Sequence, residues 1–140
     1  MFVGHIAIGM AAKRVEPKLS LGTTIFAAVL VDLLAFIFLI AGIEHFDSVP
    51  GATSNGVIGH DIAFSHSLLM GAIWGAAFVG IWFLRKRNPR GALLLFAAVV
   101  SHWLLDAATH RPDMPIFPGS ITHVGLGLWN SGPGPLRLRA

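Results

Sequence analysis

The sequence predicts an all-α protein, a polytopic membrane bundle with three full transmembrane helices and one short N-terminal helix. They form a single domain over residues 1–131, followed by a Gly/Pro/Arg tail at 132–140. Three observations carry that expectation. Of 140 residues, 54% are hydrophobic and 12% charged, about half the charged share with which a soluble domain covers its surface. Mean hydropathy is +0.71. The apolar residues also gather into separate runs whose lengths match the ~30 Å hydrocarbon core of a bilayer.

The first run, residues 2–12, has 11 residues and as a helix covers roughly 17 Å, too little to span. Lys13 and Arg14 follow this run rather than precede it, and no small-x-small pattern separates them from the next one. That order excludes a signal peptide and leaves a short helix, partly inserted and packed on its neighbours. Residues 19–43 contain one formal charge, Asp32, in 25 positions, and are long enough to cross. Residues 62–84 contain no Asp, Glu, Lys or Arg in 23 positions, and His66 is their single ionisable side chain. Residues 91–110 stay apolar through Val100 and then carry His102, Asp106 and His110, a third span with one polar end.

The connections orient these spans. Lys13, Arg14 and Lys18 occupy the first, Arg85, Lys86, Arg87 and Arg90 lie between the second and third spans, and the 44–61 connection has no Lys or Arg. The positive-inside rule then places the basic loops 13–18 and 85–90 in the cytoplasm, and the 44–61 loop and the chain beyond Arg111 outside. A net charge of +3 and a pI near 10.2 do not point to nucleic acid, because the basic residues are few and flank apolar runs. The lack of cysteine excludes disulfide scaffolds, thiolate metal sites and cysteine nucleophiles. Gly71 and Gly75 make a small-xxx-small pair suited to close helix approach in lipid, and Trp82 with Phe83 reads as an interfacial anchor. Turn residues fill the outer loop (Asp47, Ser48, Pro50, Gly51, Ser54, Asn55, Gly56) and the stretch 111–119.

The polar residues inside the spans carry the chemistry. An aspartate in mid-span costs ~2.5 to 3.5 kcal/mol to insert. The 14 Leu, Ile, Phe and Val residues between Leu21 and Ile43 outweigh that at about 0.3 to 0.6 kcal/mol each. Asp32 therefore inserts but needs a partner. Intramembrane ionisable residues face a bundle interior or a wet cavity and mark function by default; a protonated aspartate bonded to a neighbouring helix is the plain alternative. His102 and Asp106, four apart, project from one helical face, and His110 follows four further on with a drift of ~80°. Imidazoles beside a carboxylate suit zinc first, with manganese or iron as alternatives; an interhelical hydrogen-bonded pair is the bland reading. Counted from the cytoplasmic charges at ~1.5 Å per residue, His5, Asp32, His102, Asp106 and His66 all fall in the middle and outer bilayer. One outward-opening pocket accommodates all five.

Weaker candidates surround this set. Glu44 and His45 begin the outer loop and either rim the pocket or mark the water interface. His60 and Asp61 end that loop and read as solvated; Ser65 and Ser67 flank His66. Pro112 biases Arg111 away from helical geometry, so the third span stops there with Asp113 near the pocket mouth. Glu16 and His123 read as solvated loop residues. A serine-hydrolase reading of Ser65 or Ser67 lacks the strand-turn-helix elbow.

Taken as a series, several motifs resemble a bacterial membrane-protein family described as predicted membrane-bound, metal-dependent hydrolases. They are Gly4-His5, Asp32-Leu33-Leu34, Glu44-His45, Ser65-His66-Ser67-Leu68-Leu69, and Ser101-His102-Trp103 with Asp106 and His110. Arg111-Pro112-Asp113 and Gly125-Leu126-Gly127-Leu128-Trp129-Asn130 complete the series. The resemblance implies an all-helical inner-membrane protein whose His5, Asp32, His66, His102 and Asp106 bind a metal. Members continue after Trp129-Asn130-Ser131 into a further hydrophobic helix, whereas residues 132–140 here are a Gly, Pro and Arg tail. A C-terminally truncated or frame-shifted chain is the expectation this departure raises.

Two functional readings follow. In the first, a divalent ion held by His5, His66, His102 and Asp106 lowers the pKa of a water and polarises a carbonyl or phosphoryl oxygen. Asp32 completes the coordination or takes the water's proton, and His110 orients a ligand or shuttles protons. The substrate is then a lipid, ester or phosphoester reaching the site from the bilayer. In the second, the same His and Asp residues form an ion or proton conductor, or a transporter subunit; a haem-binding variant would use His66 and His102 as axial ligands. The stretches 72–84 and 92–100 are nearly pure hydrocarbon, which favours a dead-ended pocket over a relay. A structural subunit without a site, and assembly into an oligomer, stay open.

Overall fold

The computed structural model describes residues 2–48, 57–60 and 62–128. Five helices follow one another: α1 (Phe2–Val15), α2 (Leu21–Ile40), α3 (Ala63–His66), α4 (Leu68–Lys86) and α5 (Pro89–Thr109). Three of them, α2, α4 and α5, are long and apolar enough to cross a membrane. Two short antiparallel strand pairs accompany them, one between α2 and α3 and one after α5. One pairs β1 (His45–Ser48) with β2 (Val57–His60), and the other pairs β3 (Met114–Pro115) with β4 (His123–Val124). These hairpins stand where the sequence shows turn chemistry alone.

Local signals fix where each helix starts. Ser20 caps α2 by accepting from the Thr23 amide at 3.1 Å. Asn88 caps α5 by accepting from the Gly91 amide at 3.0 Å, with Pro89 in the first turn. Each cap satisfies an amide that the helix itself leaves without an acceptor. Only Arg87 and Asn88 separate α4 from α5, and Arg87 takes a left-handed conformation at φ 51° that reverses the chain into an antiparallel pair. The span expected over 62–84 is broken. Ser67 is extended (φ −80°, ψ 151°) and caps α4 through the Met70 amide, so His66 belongs to the separate single turn α3. The serine hydroxyl offers the amide an acceptor outside the helix, and this wins over continuation.

α5 is the hub, packed against α4, α2 and α1, while α1 also lies on α2. The core joins Leu19, Ala27, Leu30 and Val31 to Leu95, Ala98 and Val99. Its alanines and glycines let backbones approach, which is the main source of helix attraction where lipid is as apolar as the helices. A Cβ on Gly9 would lie 2.8 Å from Ile25 Cα and 3.0 Å from the Thr24 carbonyl oxygen, so α1 and α2 touch backbone to backbone. Of the expected glycine pair, Gly75 does face Val99 and Phe96 at 3.3 Å, but Gly71 has nothing within 4 Å. Trp82 packs against the core and over Gly91, so it is more than an interfacial anchor. On the outside, Phe36, Ile40, Leu84 and Leu93 are exposed, a surface for lipid rather than water.

The ends of the bundle are tied in ways the sequence conceals. Glu16, expected to be solvated, is buried and meets Arg90 at 3.4 Å, while Lys13 Nζ donates to the Pro17 and Leu19 carbonyls at 2.7 Å each. These bonds hold the two basic connections together. At the other end, Trp103 Nε1 donates to the Pro115 carbonyl at 2.9 Å, and the Leu126 amide donates to the Ala107 carbonyl at 2.8 Å. A Cβ on Gly125 would meet the Arg111 backbone carbonyl, so the glycine-rich stretch after β4 folds directly onto the end of α5. The expectations for Trp129 and for the 132–140 tail fall outside the described residues.

Gly9 and Gly71 therefore separate on substitution. Gly9→Val should cost about 1 to 3 kcal/mol through overpacking and lower the unfolding midpoint in detergent, whereas Gly71→Ala should leave it unchanged or raised. Equal loss in both variants would contradict the α1–α2 contact.

Candidate metal centre

The site is assembled from four helices. Asp32 stands in the second half of α2, and His102 and Asp106 one turn apart on α5. His102 is fully buried. Its Nδ1–H donates to the Ala28 carbonyl on α2 at 2.9 Å; a carbonyl only accepts, so this bond fixes the proton on Nδ1 and turns Nε2 toward the carboxylates. Nε2 lies 3.4 Å from Asp32 Oδ1 and 3.2 Å from Asp106 Oδ2. Neither approach has hydrogen-bond geometry, and Nε2 is a buried nitrogen without a hydrogen-bond partner.

His5 and His66 complete the group from either side. α1 lays the His5 ring on that of His102, with centroids 3.7 Å apart and planes within 8°. His5 Nε2 is 3.3 Å from Asp106 Oδ1, so the two oxygens of Asp106 serve the two stacked rings. The close backbone contact at Gly9, one helical turn along, makes this stack reachable. His66 Nε2 comes within 3.6 Å of Asp32 Oδ1, its ring edge-on to His102 at 5.4 Å.

The donor set and its spacing fit a divalent cation. Ligand atoms of His5, Asp32 and His102 lie within 4.8 Å of one another, as do those of His66, His102 and Asp106. Metal–ligand bonds of about 2.0 to 2.2 Å place neighbouring ligand atoms of a tetrahedral shell about 3.3 to 3.6 Å apart, whereas charge-assisted hydrogen bonds run about 2.7 to 2.9 Å. The four N···O separations here are 3.2, 3.3, 3.4 and 3.6 Å. Charge agrees with spacing, since two carboxylates with three neutral imidazoles are balanced by one doubly charged ion. Both triads share His102 Nε2, and one lone pair serves one ion, so they describe a single centre.

The remaining sequence candidates divide. His110 ends α5 and faces Asp113, Nδ1 to Oδ1 at 3.6 Å, both partly exposed. Ser67 serves α4 as its cap. His45 and His123 are exposed on strands; His60 pairs with His45 in the first hairpin, and Asp61 lies outside the described residues. Glu44 is neither a rim nor an interface residue: it is fully buried. Its Oε1 accepts from the Ser65 amide at 2.7 Å and its Oε2 from the Ser65 hydroxyl at 2.6 Å. Ser65 Oγ in turn lies 2.7 Å from His66 Nδ1. The sequence signal for this pairing was faint, an acid placed directly after an apolar span.

Residues 1–137 match the family model described as YdjM inner membrane protein. No curated protein and no solved structure is found to match. With nearly the whole chain matched, this protein belongs to the YdjM inner membrane protein family, the predicted membrane-bound metal-dependent hydrolases that its motifs resemble.

Proposed function

We propose that the protein is a membrane-embedded metal-dependent hydrolase whose centre is held by His5, Asp32, His66, His102 and Asp106. The observation that carries this reading is the buried Nε2 of His102, set 3.4 and 3.2 Å from two carboxylates without a hydrogen bond to either. Zinc suits the all-nitrogen-and-oxygen donor set, with manganese or iron as alternatives. A bound divalent ion supplies Lewis acidity, which makes a water nucleophilic near neutral pH and polarises an ester or phosphoester oxygen.

The chain's own groups do the rest. Asp106 spans the His5/His102 stack and is almost wholly buried, a fixed anchor. Asp32 is the accessible member, with a quarter of its side chain exposed and only Oδ1 engaged by the histidines. Its Oδ2 is placed to accept a proton from an attacking water. His110, 3.6 Å from Asp113 at the end of α5 and outside both ligand groups, is the candidate shuttle that passes that proton to the leaving oxygen or to solvent. The apolar core lies on the basic-loop side of the centre, so substrate enters from the opposite side or from the bilayer. A lipid, ester or phosphoester fits that access.

The conductor reading has less support. No Asp, Glu, Lys, Arg or His lies on α4 before Arg85, or on α5 between Arg90 and His102, and a relay needs polar groups toward both faces.

Purified protein should carry about one equivalent of zinc, manganese or iron per chain. A His102→Ala, Asp106→Asn variant should carry none while keeping its helical content. Metal-free wild-type protein that resists loading, or metal retained in the variant, would refute the centre. With an ester or phosphoester reporter in liposomes, turnover should stop on chelation and resume on metal return. Asp32→Asn should lower kcat by roughly 100-fold or more, in the range of a lost general base. Metal-independent proton flux through the same liposomes would favour conduction instead.

A further inference from the structure

We infer that Glu44, acting through Ser65, is a positioning residue that fixes the tautomer of His66 and so presents its Nε2 to the centre. The bond directions are read from geometry alone; their consequence for metal binding rests on the proposed centre.

Glu44 is a fully buried acid that the centre leaves unused. It follows α2 directly, where Gly42 at φ +70° turns the chain and the Ile43 and Glu44 amides return to the Phe38 carbonyl at 2.8 and 3.3 Å. That turn brings the carboxylate beneath α3. Both oxygens accept from Ser65, one from its amide and one from its hydroxyl. An acid taken wholly out of solvent is costly unless its bonds are required, and here both go to the residue beside His66.

The direction of each bond follows from the carboxylate, which cannot donate. The Ser65 hydroxyl points its proton at Glu44 Oε2, 2.6 Å away, rather than at the Ile62 carbonyl, 3.4 Å away. Ser65 Oγ is then an acceptor toward His66, so the imidazole proton sits on Nδ1, 2.7 Å from it. Nε2 is left as a lone pair 3.6 Å from Asp32. The unit is a carboxylate, hydroxyl and imidazole in series, a hydroxyl-extended form of the carboxylate–histidine pair that orients metal ligands.

Glu44→Gln separates this role from helix capping. The glutamine Oε1 still accepts the Ser65 amide, but its NH2 donates to Ser65 Oγ, which releases the hydroxyl proton to the nearer of its two remaining acceptors, His66 Nδ1 at 2.7 Å rather than the Ile62 carbonyl at 3.4 Å, and so moves the imidazole proton to Nε2. Nitrogen NMR of histidine-labelled, metal-free protein should show the His66 proton on Nδ1 in wild type and on Nε2 in Glu44→Gln. Zinc affinity, measured by chelator competition, should fall roughly 10- to 100-fold in Glu44→Gln and in Ser65→Ala. It should stay near wild type in Ser65→Thr, which keeps the hydroxyl. The serine pair carries the test should Glu44→Gln fail to fold. Wild-type tautomer and wild-type affinity in Glu44→Gln, a bare Nδ1 in wild type, or equal loss in Ser65→Ala and Ser65→Thr, would each overturn the inference. A wild-type protein that shows the stated tautomers yet takes up no zinc would refute the metal centre and leave the tautomer assignment standing.

Discussion

Two carboxylates held against three imidazoles inside a lipid-facing bundle set the terms for the rest of this structure. Asp32 and Asp106 lie where little water reaches, and unpaired charges there cost several kcal/mol apiece. Each needs a compensating partner, and the helices bring both carboxylates to the same histidine. α5 supplies His102 and Asp106 from one face, α2 brings Asp32 and the Ala28 carbonyl to the two ends of the same imidazole, and α1 and α3 close the sides. His102 Nε2 makes no hydrogen bond to either carboxylate beside it, and the spacing suits a shared cation. The cost of burying the charges therefore selects the arrangement that an ion would stabilise.

The scaffold around the centre is economical about space. The α1–α2 contact depends on Gly9, and the α4–α5 contact on Gly75. Since α1 is too short to span unaided, its place in the bundle is set by this packing, by the His5 stack and by the Lys13 bonds that hold the following turn. The opposite end is closed by Trp103, Gly125 and Leu126, which fold the chain after β3 back onto α5. A centre built on helices braced at both ends keeps its donors in register without a ligand to organise them.

Much of this was legible from residue order alone. Length and composition give the three spans, because lipid imposes its thickness on any helix that crosses it. Asp32 announces itself as a charge in mid-span, and the i,i+4 spacing of His102 and Asp106 puts both on one face. Membrane depth brought His5 and His66 into the same candidate group. Other features were hidden for identifiable reasons. The break at Ser67 rests on a hydroxyl competing for one amide, and a serine in an apolar run is as compatible with an intact helix. Gly71 and Gly75 are alike in sequence, and only the rotation of α4 decides that one touches α5. Glu16 reads as one more solvated loop charge until Arg90, distant along the chain, is seen beside it. Glu44 is the same kind of omission, since its partner Ser65 lies across a loop whose path the sequence does not specify.

The three residues Ser65, His66 and Ser67 show why so short a motif can matter. Ser65 faces Glu44, His66 faces Asp32, and Ser67 faces the amide of Met70. Ser65 and His66 project from α3 about 100° apart, whereas Ser67 must leave the helix, extended at φ −80° and ψ 151°, for its hydroxyl to accept from the Met70 amide. Ending α3 at His66 and starting α4 at Leu68 supplies the change of axis, and Ser67 supplies the cap that stabilises it. A hydrophobic residue at Ser67 would leave the Met70 amide without its side-chain acceptor and favour continuation of α4 through His66. The imidazole would then rotate away from Asp32, with every ligand residue still present in the sequence. Backbone direction, as much as residue identity, decides whether the histidines of this chain converge.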